Sequence, residues 1–179
     1  MSESKKFLEL VTKTRQSHTY DLYVKDSISS FDGISTYFNT LKKATSKDEV
    51  NVYINSGGGS LPVSIELLDA MEKCKAPITT HAVGRVASAA TFLFLAGDVR
   101  EIYDSAYFMF HQYSAGATGK GDDILQKTTF LKKHYSGFFK KYYKEIFNKE
   151  EINKLLDGKD IYLNKKQMLK RLKKEDEDV

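Results

Sequence analysis

Three side chains in this sequence have the types needed for an acyl-transfer site, and each stands at the edge of an apolar run. Ser88 lies among alanines at the head of GRVASAATFLFLAG (84–97), His111 closes the run YFMF, and Asp160 follows a glycine turn in DGKDIYL. Taken singly, each has an ordinary explanation. A serine ahead of a helix is commonly its N-cap, a histidine after a strand is commonly a hydrogen-bonded structural residue, and a carboxylate beside glycine is commonly a turn residue. Together they offer a nucleophile, a base and an orienting carboxylate from three successive strand ends. A fourth stretch, INSGGGS (54–60), joins a strand to a helix through three consecutive glycines. Such a run is either a permissive turn or a place where backbone N–H groups approach a ligand, and an oxyanion or carbonyl is what those groups would hold.

Several chemistries are disfavoured by pattern. The glycine run lacks the Gly-Lys-Ser/Thr of a phosphate loop and the spacing of the dinucleotide fingerprint. Ser88 is not in the Gly-x-Ser-x-Gly elbow of ordinary esterases. His18, His81 and His134 fall in a polar N-terminal region, inside a strand and on a long helix, without ligand spacing to a carboxylate, so no metal site is expected.

The elements that must position these residues alternate. A strand at DLYV is followed by helical spacing at Phe31, Ile34, Phe38 and Leu41, then by a strand at VNVYI that ends in the glycine run. Ser60 is placed to cap the next helix, with Pro62 in its first turn and Leu61, Ile65, Leu68 and Met71 on one face. ITTHAV predicts a third strand, GRV a turn, and 87–96 a third helix. Short strands follow at 99–102 and YFMFH. A long amphipathic helix then spans about 122–147, with Leu125, Leu131, Tyr135, Phe138, Tyr142 and Ile146 apolar and Phe139 and Tyr143 adding to an aromatic face. Its length suggests that it projects beyond the sheet or packs on a neighbouring subunit. Asn148 and Glu151 form a capping-box pattern, Gly158 ends that short helix, and DIYL and KKQMLKRL give a last strand and helix. Alternating strand and helix is the signature of parallel crossover units in an α/β fold.

Composition sets the outer limits. The 179 residues, 41% hydrophobic and 29% charged, suit one core and one domain. The formal charge of +4 is spread over helices that also carry acids, so neither nucleic acid nor membrane is an expected partner. Cys74 is the single cysteine, which fits a reducing compartment and a small buried apolar side chain. MSESKKFLEL lacks the core of a secretory signal and no run reaches membrane-helix length, so a cytoplasmic location is expected.

YINSGGGS, GRVASAATFLFLAG, FMFHQ and KDIYLN resemble, in order and spacing, the four signatures of the Clp-type serine protease subunit across about residues 50–168. The short stretch from AGD to FMFH is most similar to versions encoded by bacteriophages and prophages. The resemblance implies a Clp-protease/crotonase-like spiral of βαβ units with a protruding long handle helix, and heptameric rings stacked face to face around a chamber. It places the nucleophile on Ser88, the base on His111 and the third triad member on Asp160. The oxyanion donors would be the N–H groups of Gly59 and Ala89, with Gly58 shaping the turn. Gln112 and Tyr113, in the loop QYSAGATGKG, would lie beside the bound peptide, held by backbone pairing as an added strand. No metal or organic cofactor is implied.

The sequence departs from the family in places. Gly57 replaces the proline of the Ser-Pro-Gly-Gly turn, and Ala89 replaces the methionine after the nucleophile. Asn51 and Lys73 stand where pockets for an AAA+ unfoldase usually carry aromatic side chains, with Tyr53 retained, which argues against that partner. The final Gly-Leu-x-Asp is absent.

The resulting division is an N-terminal segment at 1–19 without a clear match, a protease domain at 20–172 and a charged tail at 173–179. The expected function is a serine endopeptidase acting on unfolded or flexible proteins inside a self-compartmentalised homo-oligomeric ring. Two other readings compete: a ring subunit with a structural or regulatory role and little catalysis, and a crotonase-like enzyme acting on acyl thioesters.

Overall fold

The computed structural model describes residues 17–172. Six strands form one sheet, in the order β1-β2-β3-β5-β6 with β4 also on β3. They are β1 (Thr19–Ile28), β2 (Glu49–Gly59), β3 (Ile78–Ala87), β4 (Val99–Ile102), β5 (Tyr107–Phe110) and β6 (Ile161–Asn164). The helices are α1 (Phe31–Lys43), α2 (Leu61–Glu72), α3 (Ala90–Leu95), α4 (Gly121–Tyr143), α5 (Lys149–Leu156) and α6 (Lys165–Leu172). The expected α/β class is therefore found. β1, β2 and β3 pair in parallel, with α1 and α2 as the crossovers between them, as parallel neighbours require.

Beyond β3 the sheet changes character. β4 lies against Thr79–Ala82 of β3 and β5 against Arg85–Ala87, both parallel, so they sit end to end along one neighbour. A jog at 103–106, closed by Ala106 N–H donating to the Tyr103 carbonyl at 3.0 Å, suffices to join them because no crossover is needed. β6 then pairs antiparallel with β5, a reversal that the alternation of strand and helix did not suggest.

Three boundaries differ from expectation. The stretch GRV is not a turn: β3 runs through it to Ala87 because β5 gives the strand a second partner there. Helix α3 starts at Ala90 and has only six residues, all buried. An apolar segment of that length is a core plug, and among the described residues no helix is long and apolar enough to cross a membrane. Helix α4 ends at Tyr143, after which Ile146 and Phe147 both donate to the Tyr143 carbonyl, at 3.1 and 2.9 Å.

Caps set the other ends. Ser60 precedes α2, but its side chain makes no capping bond. Asn148 and Glu151 close the reciprocal capping box ahead of α5. Gly158, at φ 92°, then ends that helix in a Schellman turn, with Gly158 and Lys159 N–H bonding the Leu155 and Lys154 carbonyls. Asn164 and Gln167 form a second box, at 2.9 Å each way, which turns β6 directly into α6.

The core is aromatic where the sheet meets α3 and α4. Phe92 stacks on Tyr143 at 4.7 Å, Phe94 meets Phe108 at 4.9 Å, and Phe110 stands edge-on to Tyr143 at 5.3 Å. All five of these rings are essentially inaccessible to solvent, and burying each stabilises the fold by roughly 1.5–3 kcal/mol. Only the last part of α4 shares this core, through Phe139, Tyr142 and Tyr143. Further back along the helix, Leu125 and Phe130 are exposed. Cys74, expected inside, is half-buried.

Candidate active site

The site forms where β3 and β5 end side by side. β3 delivers Ser88 directly from Ala87, and Ser88 N–H donates to the Met109 carbonyl of β5 at 2.8 Å. Ser88 adopts φ 55°, one of only two non-glycine residues with positive φ among those described. An L-residue pays about 1–2 kcal/mol for that conformation, so the surroundings must hold it. It sits one residue before Ala89, which occupies the N-cap position of α3 without a side-chain capping bond. The serine is therefore not spent as a cap.

His111 is the first residue after β5. Its Nε2 lies 2.6 Å from Ser88 Oγ, both side chains being part-buried. A nitrogen at that distance can accept the hydroxyl proton as the oxygen attacks a carbonyl.

Asp160 immediately precedes β6, and the ladder explains why it is there. β5 and β6 pair Tyr107 with Asn164, Phe108 with Leu163, Met109 with Tyr162 and Phe110 with Ile161. The next step in that antiparallel register sets His111 opposite Asp160. Directly opposed residues in such a pair have Cβ atoms about 4.5–5.5 Å apart. Asp160 is exposed, and the structure has no hydrogen bond between its carboxylate and His111.

The glycine run reaches the site from β2, which continues through it and pairs Ser27 with Gly58 and Ile28 with Gly59. Gly58, at φ 86°, lies flat against the Ser88 turn: a Cβ there would stand 2.7 Å from Ser88 Cβ and 2.8 Å from Ala89 N. Its N–H donates to Ser56 Oγ at 3.1 Å, and that hydroxyl donates to the Asp26 carbonyl at 2.6 Å. Gly59, at φ 147°, instead packs on the Ile28 backbone. Among the described residues no acceptor takes the Ala89 N–H. Gly57, in the place of the family's proline, lies under the Arg85 guanidinium.

Gly59 and Ala89 open on a cleft of about 280 Å³, walled by Leu61, Phe92, Tyr113, Leu131, Tyr135 and Phe139 among others. Tyr113 is held by ring contact with Tyr135 at 5.0 Å. Gln112 is turned away from this wall, donating to the Leu156 carbonyl at 2.7 Å. The sequence did not single out Leu131 and Tyr135 for the site, because a helical pattern alone does not say which loop its apolar face meets.

The other histidines are elsewhere. His81 lies in a row across the sheet, stacked on Tyr53 at 4.3 Å, with Asn51 Oδ1 3.2 Å from Nε2 and Glu101 3.1 Å from Nδ1. Asn51 also donates to Asp21 at 2.9 Å, and Tyr23 stacks on the far side of Tyr53. Among the described residues no group of three potential ligands is placed to hold a metal ion.

The crossover α/β sheet thus brings a serine hydroxyl to an imidazole at its carboxyl edge, beside a cleft, an arrangement capable of nucleophilic attack on a carbonyl. The Clp protease family model matches residues 11–170, and the chain belongs to the Clp protease family. Membership supports serine peptidase activity, and implies that the chain binds peptide substrates and assembles into oligomeric rings.

Proposed function

We propose that this protein is a serine endopeptidase in which Ser88 attacks the scissile carbonyl and His111 takes its proton. The observation that carries the reading is the 2.6 Å approach of His111 Nε2 to a serine held at positive φ. With Nε2 engaged, Nδ1 is left to a carboxylate, and the register across β5 and β6 favours Asp160 for that part. Asp160 would hold the ring in the productive tautomer and stabilise the imidazolium.

The tetrahedral oxyanion would be met by the Ala89 N–H, with Gly59 as the second donor and Gly58 fitting the glycine run against the turn. His111 returns its proton to the leaving amine, and water then hydrolyses the acyl-enzyme by the same route. The cleft beside Ala89 suits an apolar side chain on the residue that supplies the carbonyl, and Tyr113 would border the bound peptide.

In this reading residues 20–172 act as one protease domain. The first part of α4, with Leu125 and Phe130 exposed, is the handle by which heptameric rings stack into a closed chamber. The substrates are unfolded or flexible protein segments. A bacteriophage or prophage origin and a cytoplasmic site of action belong to the same proposal. The catalytic chemistry itself needs no AAA+ unfoldase, and such a partner would have to dock without an aromatic ring at position 51, where Asn51 instead bridges Asp21 and His81.

The test is intact mass after exposure to a serine-directed fluorophosphonate. One adduct is expected, lost in Ser88→Ala and strongly slowed in His111→Ala. No adduct on an assembled ring would reject the reading in favour of a subunit with a structural role.

A further inference from the structure

The peptide unit joining Ser88 to Ala89 carries the Ser88 carbonyl at one end and the Ala89 N–H at the other. Because the unit is planar, whatever fixes the carbonyl also fixes the direction of the N–H. Thr91 holds that carbonyl twice, through its N–H at 3.0 Å and its hydroxyl at 2.6 Å. The hydroxyl's only proton is thereby committed, so in the 2.8 Å contact between Thr91 Oγ1 and Tyr143 Oη the tyrosine is the donor.

Tyr143 is the last residue of α4 and is completely buried. Its ring is clamped between Phe92, stacked at 4.7 Å, and Phe110, edge-on at 5.3 Å. Burial pushes its phenol well above the ordinary tyrosine range, so it stays a proton donor across the working pH range. A valine and phenylalanine pair would fill the same space without two buried hydroxyls that each need a partner. Both hydroxyls instead form one chain, Tyr143 to Thr91 to the Ser88 carbonyl. Successive donors in such a chain polarise one another, and the polarised peptide presents a stronger N–H at Ala89.

Resting on the reading of Ser88 as nucleophile and Ala89 as oxyanion donor, we infer that Thr91 and Tyr143 are positioning residues. They hold the Ser88–Ala89 peptide in the orientation that the tetrahedral oxyanion requires, and they tie the end of α4 to the nucleophile.

The test uses the full chain and four variants: Thr91→Val, Thr91→Ser, Tyr143→Phe and the double variant Thr91→Val/Tyr143→Phe. The readouts are the rate of fluorophosphonate labelling by intact mass, and kcat and KM on an unstructured fluorogenic peptide. Loss of an oxyanion donor outright costs about 10²–10³ in kcat. Misorienting one is expected to cost about tenfold in both labelling and kcat for Thr91→Val, with KM within about twofold. Thr91→Ser, which keeps the hydroxyl, should restore both.

Tyr143→Phe should show a smaller loss, and the double variant should match Thr91→Val, because the phenol acts only through the threonine. Should Thr91→Val strand the Tyr143 hydroxyl and unfold, the double variant carries the same measurement with both hydroxyls gone. Labelling at the wild-type rate in a folded Thr91→Val or double variant overturns the inference. So does a Thr91→Ser protein as slow as Thr91→Val. Absence of labelling in the wild-type ring would instead overturn the reading of Ser88 itself, a different result.

Discussion

Gly58→Ala should disable the site more than it damages the fold. The residue sits at φ 86°, and an added Cβ would lie 2.6 Å from the Ala87 carbonyl oxygen, 2.7 Å from Ser88 Cβ and 2.8 Å from Ala89 N. Two of those neighbours are backbone atoms and cannot swing aside. The left-handed conformation costs an alanine about 1–2 kcal/mol and the overpacking about 1–3 kcal/mol. Together these come to about 2–5 kcal/mol, below or at the edge of the 5–15 kcal/mol that ordinarily holds a domain together. For a chain of this size the melting temperature should fall by roughly 4–20 °C. The strain is relieved by pushing the 87–89 turn away, and a displacement of about 1 Å at reacting groups costs about 10²-fold.

The assay is the fluorophosphonate labelling rate at a temperature where circular dichroism shows the variant folded. Gly116→Ala, whose added Cβ meets nothing within 4 Å, is the control. Gly59→Ala, whose Cβ would press on the Ile28 backbone, should lower both stability and labelling, because relieving that contact moves the second oxyanion donor. A folded Gly58→Ala protein that labels at the wild-type rate would refute the role given to this contact.

Asp160→Asn should lower turnover by about 10–100-fold with little change in KM. That is less than for a buried triad carboxylate, because water already screens an exposed one; an unchanged pH–rate profile and turnover would remove Asp160 from the mechanism. Asp48 supplies a pH dependence of stability instead. Hydrogen bonds from the Thr45 N–H and hydroxyl and the His18 N–H hold its carboxyl down to about 2, from 3.8. Its stabilising contribution is thus complete above about pH 4 and is lost as pH falls toward 2. Urea midpoints measured across that window should drop less steeply for Asp48→Asn than for the wild type.

How much of this was legible in the sequence depended on whether the signal was local. The capping box at Asn148 and Glu151, the glycine stop at Gly158 and the strand at 99–102 each rest on a few adjacent residues and stand where their pattern put them. GRV read as a turn because Gly84 is a local breaker, but a strand with partners on both sides outweighs one glycine. Ser60 likewise stands at the N-cap of α2, where its pattern put it, but its side chain makes no capping bond, while its N–H donates to the Ile28 carbonyl at 2.7 Å.

The candidate site was legible as residue types and became a geometry only through pairing that no window of sequence contains. Ser88 and His111 meet because β5 lies on the second half of β3. Asp160 comes opposite His111 because β6 runs antiparallel, so that the start of one strand faces the end of the other. Had β6 been one more parallel strand, its beginning would have lain at the far edge of the sheet, and the third side chain with it. The reversal therefore gives the last strand its use: an antiparallel edge returns a residue from the end of the chain to the carboxyl edge where β3 and β5 already finish. A shift of one residue in that register would turn Asp160 to the opposite face. The side-chain packing of Phe108 and Leu163, both buried at one register step, is what prevents it.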